Sequence, residues 1–518
     1  MNSEKVYLMI LDGFGEGKAY AGNAIKNARM PNLNRLRKEY PLTLLQASGN
    51  AVGLPDGTQG GSEVGHFTIG AGRITYQYLE MIDRSIKDGS FFDKLPFLDA
   101  IKKVKTAVKT GEKAALHLLG MISDQGVHSH LNHLFALLEL AKKHDIGQVY
   151  IHAITDGRDV PERTAAGFIE QIQKKIHDLG YDHDPRKKAT IATIAGRFFT
   201  MDRDTNWDRT EKAYNLYALG EGIKETDPVQ AINNAYARGV KTDYYIDPVI
   251  LDEHGLIKDQ DAVIFWNYRT DRTKQITQCF TGETQIGFKP KKTVRPFFVC
   301  FGDYSKTAPV VFPTQKIENN LGSVISQNKL LQLRIAETEK YAHVTYFFNS
   351  QVEAPFSNEE RIMIDSPKPK SFAEMPEMSA AGIAERAMKE LENGKYRLIV
   401  QNFANTDLVG HSGDYKATVT ACEVVDECIG KIVGKAQDMG YHVILTADHG
   451  NAEYMVYEEN GEPCPSHTTN PVICILISGK YKNSKLKNGR GLEDIAPTIL
   501  NIMDIQKPAK MTGETLID

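Results

Sequence analysis

The sequence predicts an α/β protein of two large domains, on three observations. At 518 residues the chain exceeds what one hydrophobic core usually covers, so two or more domains are expected. Its apolar runs, such as Val-Tyr-Leu-Met-Ile-Leu at 6–11, are continuous rather than alternating, which suits strands covered on both faces in a parallel sheet. Those runs recur with polar loops and helical patterns between them, the order of layered α/β folds.

The elements follow in chain order. The first strand ends in Asp12-Gly13, placing an acid at the carboxyl end of a buried strand, where ligands collect in open α/β sheets. A helix follows Pro31, and the stretch from Gly60 to Arg73 reads as a glycine-rich loop around Ser62. From about 85 to 310, strands are expected at 116–120, 149–154, 190–194, 262–266 and 297–301, with a helix over 134–143. Ser129 or Asn132 is expected to cap that helix, with His130 and His133 as surface or packing residues. The third section, from about 316, has strands at 398–400 and 443–445. Between them a helix over 414–435 carries apolar residues at 419, 422, 425, 429 and 432, a core-facing stripe. No solenoid repeat or low-complexity linker interrupts the chain.

Composition narrows the function. Charged residues make up 25% and hydrophobic ones 41%, and the net charge is -4, so there is no general attraction to nucleic acid or an anionic membrane. The lysine-rich stretches at 289–292 and 480–490 are broken by Pro, Gly and Asn and read as solvated loops. Six well-separated cysteines without a C-x-x-C read as reduced thiols. The opening residues lack the pattern of a signal peptide, and no run reaches 18 apolar residues. A cytoplasmic enzyme with a small-molecule substrate is expected, without a nucleic-acid or membrane partner and acting as a monomer.

Three apolar runs lead into acids, Asp12, Asp407 and Asp448. His411 and His449 lie beside the last two, and His467 follows. Carboxylates with imidazoles and few soft ligands suit a pair of hydrated divalent ions, with manganese or magnesium favoured. Arg158, Arg197, Arg203, Arg269 and Arg272 each follow a predicted strand of the middle section, so their planar forks would converge on one anionic group. Ser62, between glycines, is the candidate nucleophile. Its spacing is not that of the G-x-S-x-G elbow, since Val64 replaces the second glycine, and its activation is assigned to a metal. Phosphoryl transfer fits these parts, with Lys340 adding positive charge.

These residues lie in longer motifs: LDGFG at 11–15, GSEVGH at 61–66, IGAGR at 69–73, SDQGVHSH at 123–130, TDGRD at 155–159, GRFFTMDRD at 196–204, NYRTDR at 267–272, ETEKYAHVT at 337–345, NFANTDLVGHSGD at 402–414, TADHGNAE at 446–453 and SHTTNPV at 466–472. In that order they resemble the cofactor-independent phosphoglycerate mutases, within the alkaline-phosphatase-like metalloenzymes, over essentially the whole length. The resemblance implies an alkaline-phosphatase-like metal domain over 1–82 and 314–518, with a substrate domain over 83–313 inserted into it. It implies one ion on Asp407, His411 and His467, and a second on Asp12, Ser62, Asp448 and His449. Manganese is the expected ion, with magnesium, cobalt or zinc as alternatives, and no 2,3-bisphosphoglycerate is needed.

By the same likeness Ser62 becomes phosphoserine during interconversion of 3- and 2-phosphoglycerate, a glycolytic step. Lys340 stabilises charge, Asp159 is the acid/base, and His128, Arg158, Arg197, Arg203, Arg269 and Arg272 hold phosphate and carboxylate. The chain departs from the usual pattern with Gln59-Gly60-Gly61 in place of Met-Gly-Asn, and with Phe14 in place of a tryptophan. A metal-dependent phosphatase of the same superfamily is the alternative.

Overall fold

The computed structural model describes residues 4–518 apart from 182 and 185. Strands β1 (Lys5–Leu11) and β2 (Leu42–Gln46) come first. They are followed by β3 (Leu116–Ile122), β4 (Gln148–Thr155), β5 (Lys188–Gly196), β6 (Ile223–Lys224), β7 (Val249–Ile250), β8 (Ala262–Phe265) and β9 (Phe297–Cys300). The last group is β10 (Gln332–Glu337), β11 (Glu359–Ile364), β12 (Leu398–Phe403), β13 (Tyr441–Thr446), β14 (Val472–Ile477) and β15 (Arg490–Gly491). The chain divides into two compact units, one built from 1–77 and 316–518 and the other from 78–315.

The first unit holds an eight-stranded sheet in the order β11-β10-β12-β1-β13-β14-β2-β15. β1 is fully buried from Val6 to Leu11, as its unbroken apolar run requires. It lies between β12 and β13, parallel to both, with Ile10 opposite Asn402 on one side and Thr446 on the other. That register brings Asp12, Asp407 and Asp448 to the carboxyl ends of three adjacent strands. The sheet is not wholly parallel: β14 runs antiparallel to both β13 and β2.

The second unit holds a seven-stranded sheet, β6-β7-β5-β4-β3-β8-β9, with apolar clusters around Leu118 and Ile264 and around Phe265 and Tyr214. Ile122 pairs with Thr155, and Thr155 with Gly196, so Ser123, Asp156 and Arg197 are neighbours just beyond three strand ends. β7 is antiparallel to β5.

Two sequence expectations are corrected. The glycine-rich stretch is not a loop throughout, because Ser62–Ala71 is an α-helix. Packing overrides glycine's poor helix propensity here. A Cβ on Gly65 would lie 2.6 Å from the Asp448 carbonyl oxygen, and one on Gly70 would lie 1.9 Å from that of Phe348, so only glycine lets the helix approach so closely. In addition, the helix Leu131–Lys143 is capped by neither Ser129 nor Asn132. The His130 ring accepts from the Asn132 backbone N–H, while Ser129 Oγ donates to Met121 O. All six cysteines are buried free thiols. Among the described residues no helix is long and apolar enough to cross a membrane.

Candidate active site

Ser62 opens its helix, so its hydroxyl stands at the positive end of the backbone dipoles. Its Oγ lies 3.0 Å from Asp12 Oδ1, 3.0 Å from His449 Nε2 and 2.8 Å from Lys340 Nζ. Lys340 also donates to Asp12 Oδ1 at 2.7 Å and to Asp407 Oδ2 at 2.6 Å. All four partners are buried. Burial works against the Lys340 ammonium, but Asp12 and Asp407 outweigh it and raise its pKa above the ordinary lysine value. Burial likewise opposes ionised Asp12, yet Lys340 and the His449 hydrogen bond keep it well below the usual carboxylate range.

Next to this group, Asp407 Oδ1 lies 3.3 Å from His411 Nε2 and 3.1 Å from His467 Nε2, and the two Nε2 atoms are 2.9 Å apart. The far nitrogens face carbonyl oxygens: His411 Nδ1 is 2.7 Å from Pro465 O, and His467 Nδ1 is 2.8 Å from Gly60 O. Each ring therefore carries its hydrogen on Nδ1 and turns the Nε2 lone pair inward. Two lone pairs and a carboxylate oxygen meeting at one point call for a cation.

Asp12, Asp407 and His449 form a second group whose donor atoms lie within 4.8 Å of one another, as do Asp12, His66 and Asp448. Buried Asp448 Oδ2 has no hydrogen-bond partner. Although burial pulls the other way, Asp448, Asp12 and Asp407 push the His449 pKa up to about 10, a measure of how negative the group is. These oxygen and imidazole donors fit divalent cations.

In the second unit, Arg197 is buried, with both terminal nitrogens engaged and its Nε without a partner. Nη1 donates to Asp156 at 2.5 Å and to Asp159 at 2.7 Å, and Nη2 lies 3.0 Å from His128 Nε2. Burial, with the positive charge of Arg197, lowers the His128 pKa to about 4, so the ring is neutral and accepts from the guanidinium. Asp271 accepts a hydrogen bond from Arg203 at 2.8 Å and forms an ion pair with Arg269 at 3.0 Å. Arg272 donates to Met201 O at 3.1 Å, and its pKa is lowered by burial and by the charges of Arg203, Arg197 and Arg158. The arginines thus share one electrostatic field. The exposed Arg158 joins it through charge, and its backbone N–H is held by Asp156.

All seven expected metal-site residues come together in the first unit, and His128, Asp159 and the five arginines in the second. Sequence reasoning gave no role to Asp156, Asp271, His66 or Asn402. Asn402 Nδ2 lies 2.7 Å from Asp12 Oδ2, and a polar residue inside a buried strand was the available signal. His66, four residues after Ser62, shares its helix face, a spacing that informs only once the stretch is read as helix.

The chain matches the Metalloenzyme superfamily over residues 4–507, so it belongs to a superfamily of metalloenzymes. It is 47% identical to the 2,3-bisphosphoglycerate-independent phosphoglycerate mutase of Moorella thermoacetica, over 98% of each chain. It is 44% identical to the same-named protein of Clostridioides difficile over 100% of each. Crystal structures of Leishmania mexicana phosphoglycerate mutase at low cobalt concentration provide a structural match, with 29% identity, 100% of this chain and 98% of that one covered, and a TM-score of 0.54. The chain belongs to the 2,3-bisphosphoglycerate-independent phosphoglycerate mutases, a family of isomerases.

Proposed function

We propose that this chain interconverts 3-phosphoglycerate and 2-phosphoglycerate by passing the phosphoryl group through Ser62, without bisphosphoglycerate. The observation that carries the reading is the position of Ser62 Oγ, within 3.0 Å of Lys340 Nζ, Asp12 Oδ1 and His449 Nε2 at a helix N-terminus. Asp407, His411 and His467 would hold one divalent ion, and Asp12, Ser62, Asp448 and His449 a second. Manganese is the ion proposed, with magnesium, cobalt and zinc as alternatives, and the Leishmania structures are described at low cobalt concentration. When bound, such ions lower the pKa of a hydroxyl they hold and neutralise charge on the phosphoryl oxygens.

In this reading, Ser62, its hydroxyl proton given up to solvent before the cycle, attacks phosphorus through Oγ, and the bond from phosphorus to the glycerate oxygen breaks. The departing oxygen takes a proton from Asp159, which enters the cycle protonated. Asp159 then accepts the proton of the neighbouring hydroxyl, whose oxygen attacks the phosphoserine and releases Ser62. Lys340 keeps its proton throughout and compensates negative charge beside Ser62. Arg158, Arg197, Arg203, Arg269, Arg272 and His128 bind the phosphate and carboxylate groups, so the glycerate is retained between the two transfers. A simple hydrolase has no need of such a grip.

The test is to supply purified protein with manganese and 3-phosphoglycerate, without bisphosphoglycerate, and to follow 2-phosphoglycerate and free phosphate together. Formation of 2-phosphoglycerate matching the loss of substrate is expected. Free phosphate without 2-phosphoglycerate would replace the mutase by a phosphatase.

A further inference from the structure

We infer that His66 and Asn402 are positioning residues that lock the Asp12 carboxylate and the first turn of the Ser62 helix into one arrangement. The inference rests on the two-ion reading above and concerns residues outside its proposed ligand set. Both side chains are fully buried, as are those of Asp12 and Asp448. The Asn402 amide nitrogen stands between two acceptors, Asp12 Oδ2 at 2.7 Å and His66 Nε2 at 3.0 Å. An ionised carboxylate can only accept, so one amide hydrogen goes to Asp12 and the other to Nε2. His66 is thereby left with its own hydrogen on Nδ1. That nitrogen donates to the Ser62 carbonyl oxygen at 2.9 Å and lies 3.2 Å from Asp448 Oδ2, a buried oxygen that no hydrogen bond satisfies.

The direction of this chain of bonds is fixed at its start. Turning the Asn402 amide over would set its oxygen, which has no partner, against Asp12 Oδ2. Two acceptors facing each other in a buried site are costly. The charge on Asp12 therefore orients the Asn402 amide, the amide selects the His66 tautomer, and the tautomer aims an N–H at Ser62 O and Asp448. Asp12 and Asp448 come from different strands, and Ser62 from a helix. This bridge joins Asp12 to Ser62 through hydrogen bonds of 2.7, 3.0 and 2.9 Å and sets the His66 N–H 3.2 Å from Asp448 Oδ2. It acts on the ion proposed for Asp12, Ser62, Asp448 and His449, and makes no contact with His411 or His467.

The experiment is a calorimetric titration of manganese chloride into metal-free full-length protein, carried out on His66→Ala, Asn402→Ala, the double variant and His66→Asn. Unsubstituted protein should take up two equivalents. Each alanine variant should weaken one equivalent by about 10–100-fold, the usual effect of removing a residue that orients a metal ligand, and leave the other unchanged. The double variant should be no weaker than the worse single one, because both residues act through one chain of bonds. His66→Asn, whose amide can still donate near the Nδ1 position, should recover part of the loss. Unchanged affinity for both equivalents overturns the proposal. So do additive losses, or weakening of both equivalents together with a lower melting temperature of the metal-free protein. If His66→Ala does not fold, Asn402→Ala and His66→Asn carry the same test. Uptake of fewer than two equivalents by unsubstituted protein would instead count against the two-ion reading itself.

Discussion

Lys340 places its ammonium 2.7 Å from Asp12 Oδ1, although the two residues are 328 positions apart in the chain. The pair joins the carboxyl end of β1 to the short helix Thr338–Ala342 that follows β10. Both groups are buried, so each depends on the other for its charge.

Replacing Lys340 by methionine leaves Asp12 and Asp407 without their shared cation. In metal-free protein this should cost about 3–5 kcal/mol, the usual penalty for stranding a buried charge. Urea unfolding measures it. Manganese should restore part of the loss, while turnover stays reduced by roughly 10²–10³-fold because the charge beside Ser62 is missing. Unchanged stability of the metal-free variant would show that the pair holds nothing in place.

Ser62→Ala removes one oxygen at the start of a helix whose backbone needs nothing from that side chain. Melting temperature should change little, and mutase turnover should fall by ~10⁴-fold or more. Substantial 2-phosphoglycerate formation by the variant would exclude the phosphoserine route.

How much of this site could be read in advance differs from residue to residue. Asp12, Asp407 and Asp448 were legible because each lies shortly beyond an apolar run, and a buried strand must end where its backbone can turn. The helix Ser62–Ala71 was hidden by its glycines. Their fitness for a helix depends on the carbonyls of Asp448 and Phe348, which no local pattern reveals. β10 was obscured as well, because Gln332, Arg334 and Glu337 are polar yet buried in it. Arg334 bonds to Gln332 at 2.7 Å, a partner that makes its burial tolerable. His66 and Asn402 meet in space but are 336 positions apart in the chain.

The acid sensitivity of the second unit should include His128. Burial and Arg197 lower its pKa to about 4 in the folded chain, against 6.5 for the free side chain. As pH falls, the unfolded chain takes up the proton first. The stability this group contributes is therefore full above pH 6.5 and is lost between 6.5 and 4, on the order of 3 kcal/mol in all. His128→Gln should flatten the urea-unfolding free energy over that window, and parallel profiles for the two proteins would refute the assignment.

Gly61 differs from its neighbour. Its φ of -166° is extended backbone, and an added Cβ would have His467 Nδ1 as its nearest atom, at 3.8 Å. Gly61→Ala should raise stability by about 0.4–1 kcal/mol by restricting the unfolded chain. A Cβ on Gly60 would lie 2.1 Å from the Ala47 carbonyl oxygen, so Gly60→Ala should lower the melting temperature. The reverse order of the two variants would disprove this account.

The first unit is split in sequence, with Asp12 and Ser62 in its opening segment and Lys340, Asp407 and Asp448 in its closing one. On the ribosome, 278 residues separate Ser62 from Lys340. At roughly 5–20 residues per second, the serine is made about 14–56 s before the lysine that will stand beside it. The contiguous second unit is complete in the meantime and free to fold first. The early acids must wait in water for their counter-charge, so the reactive centre is among the last parts of the nascent chain to be assembled.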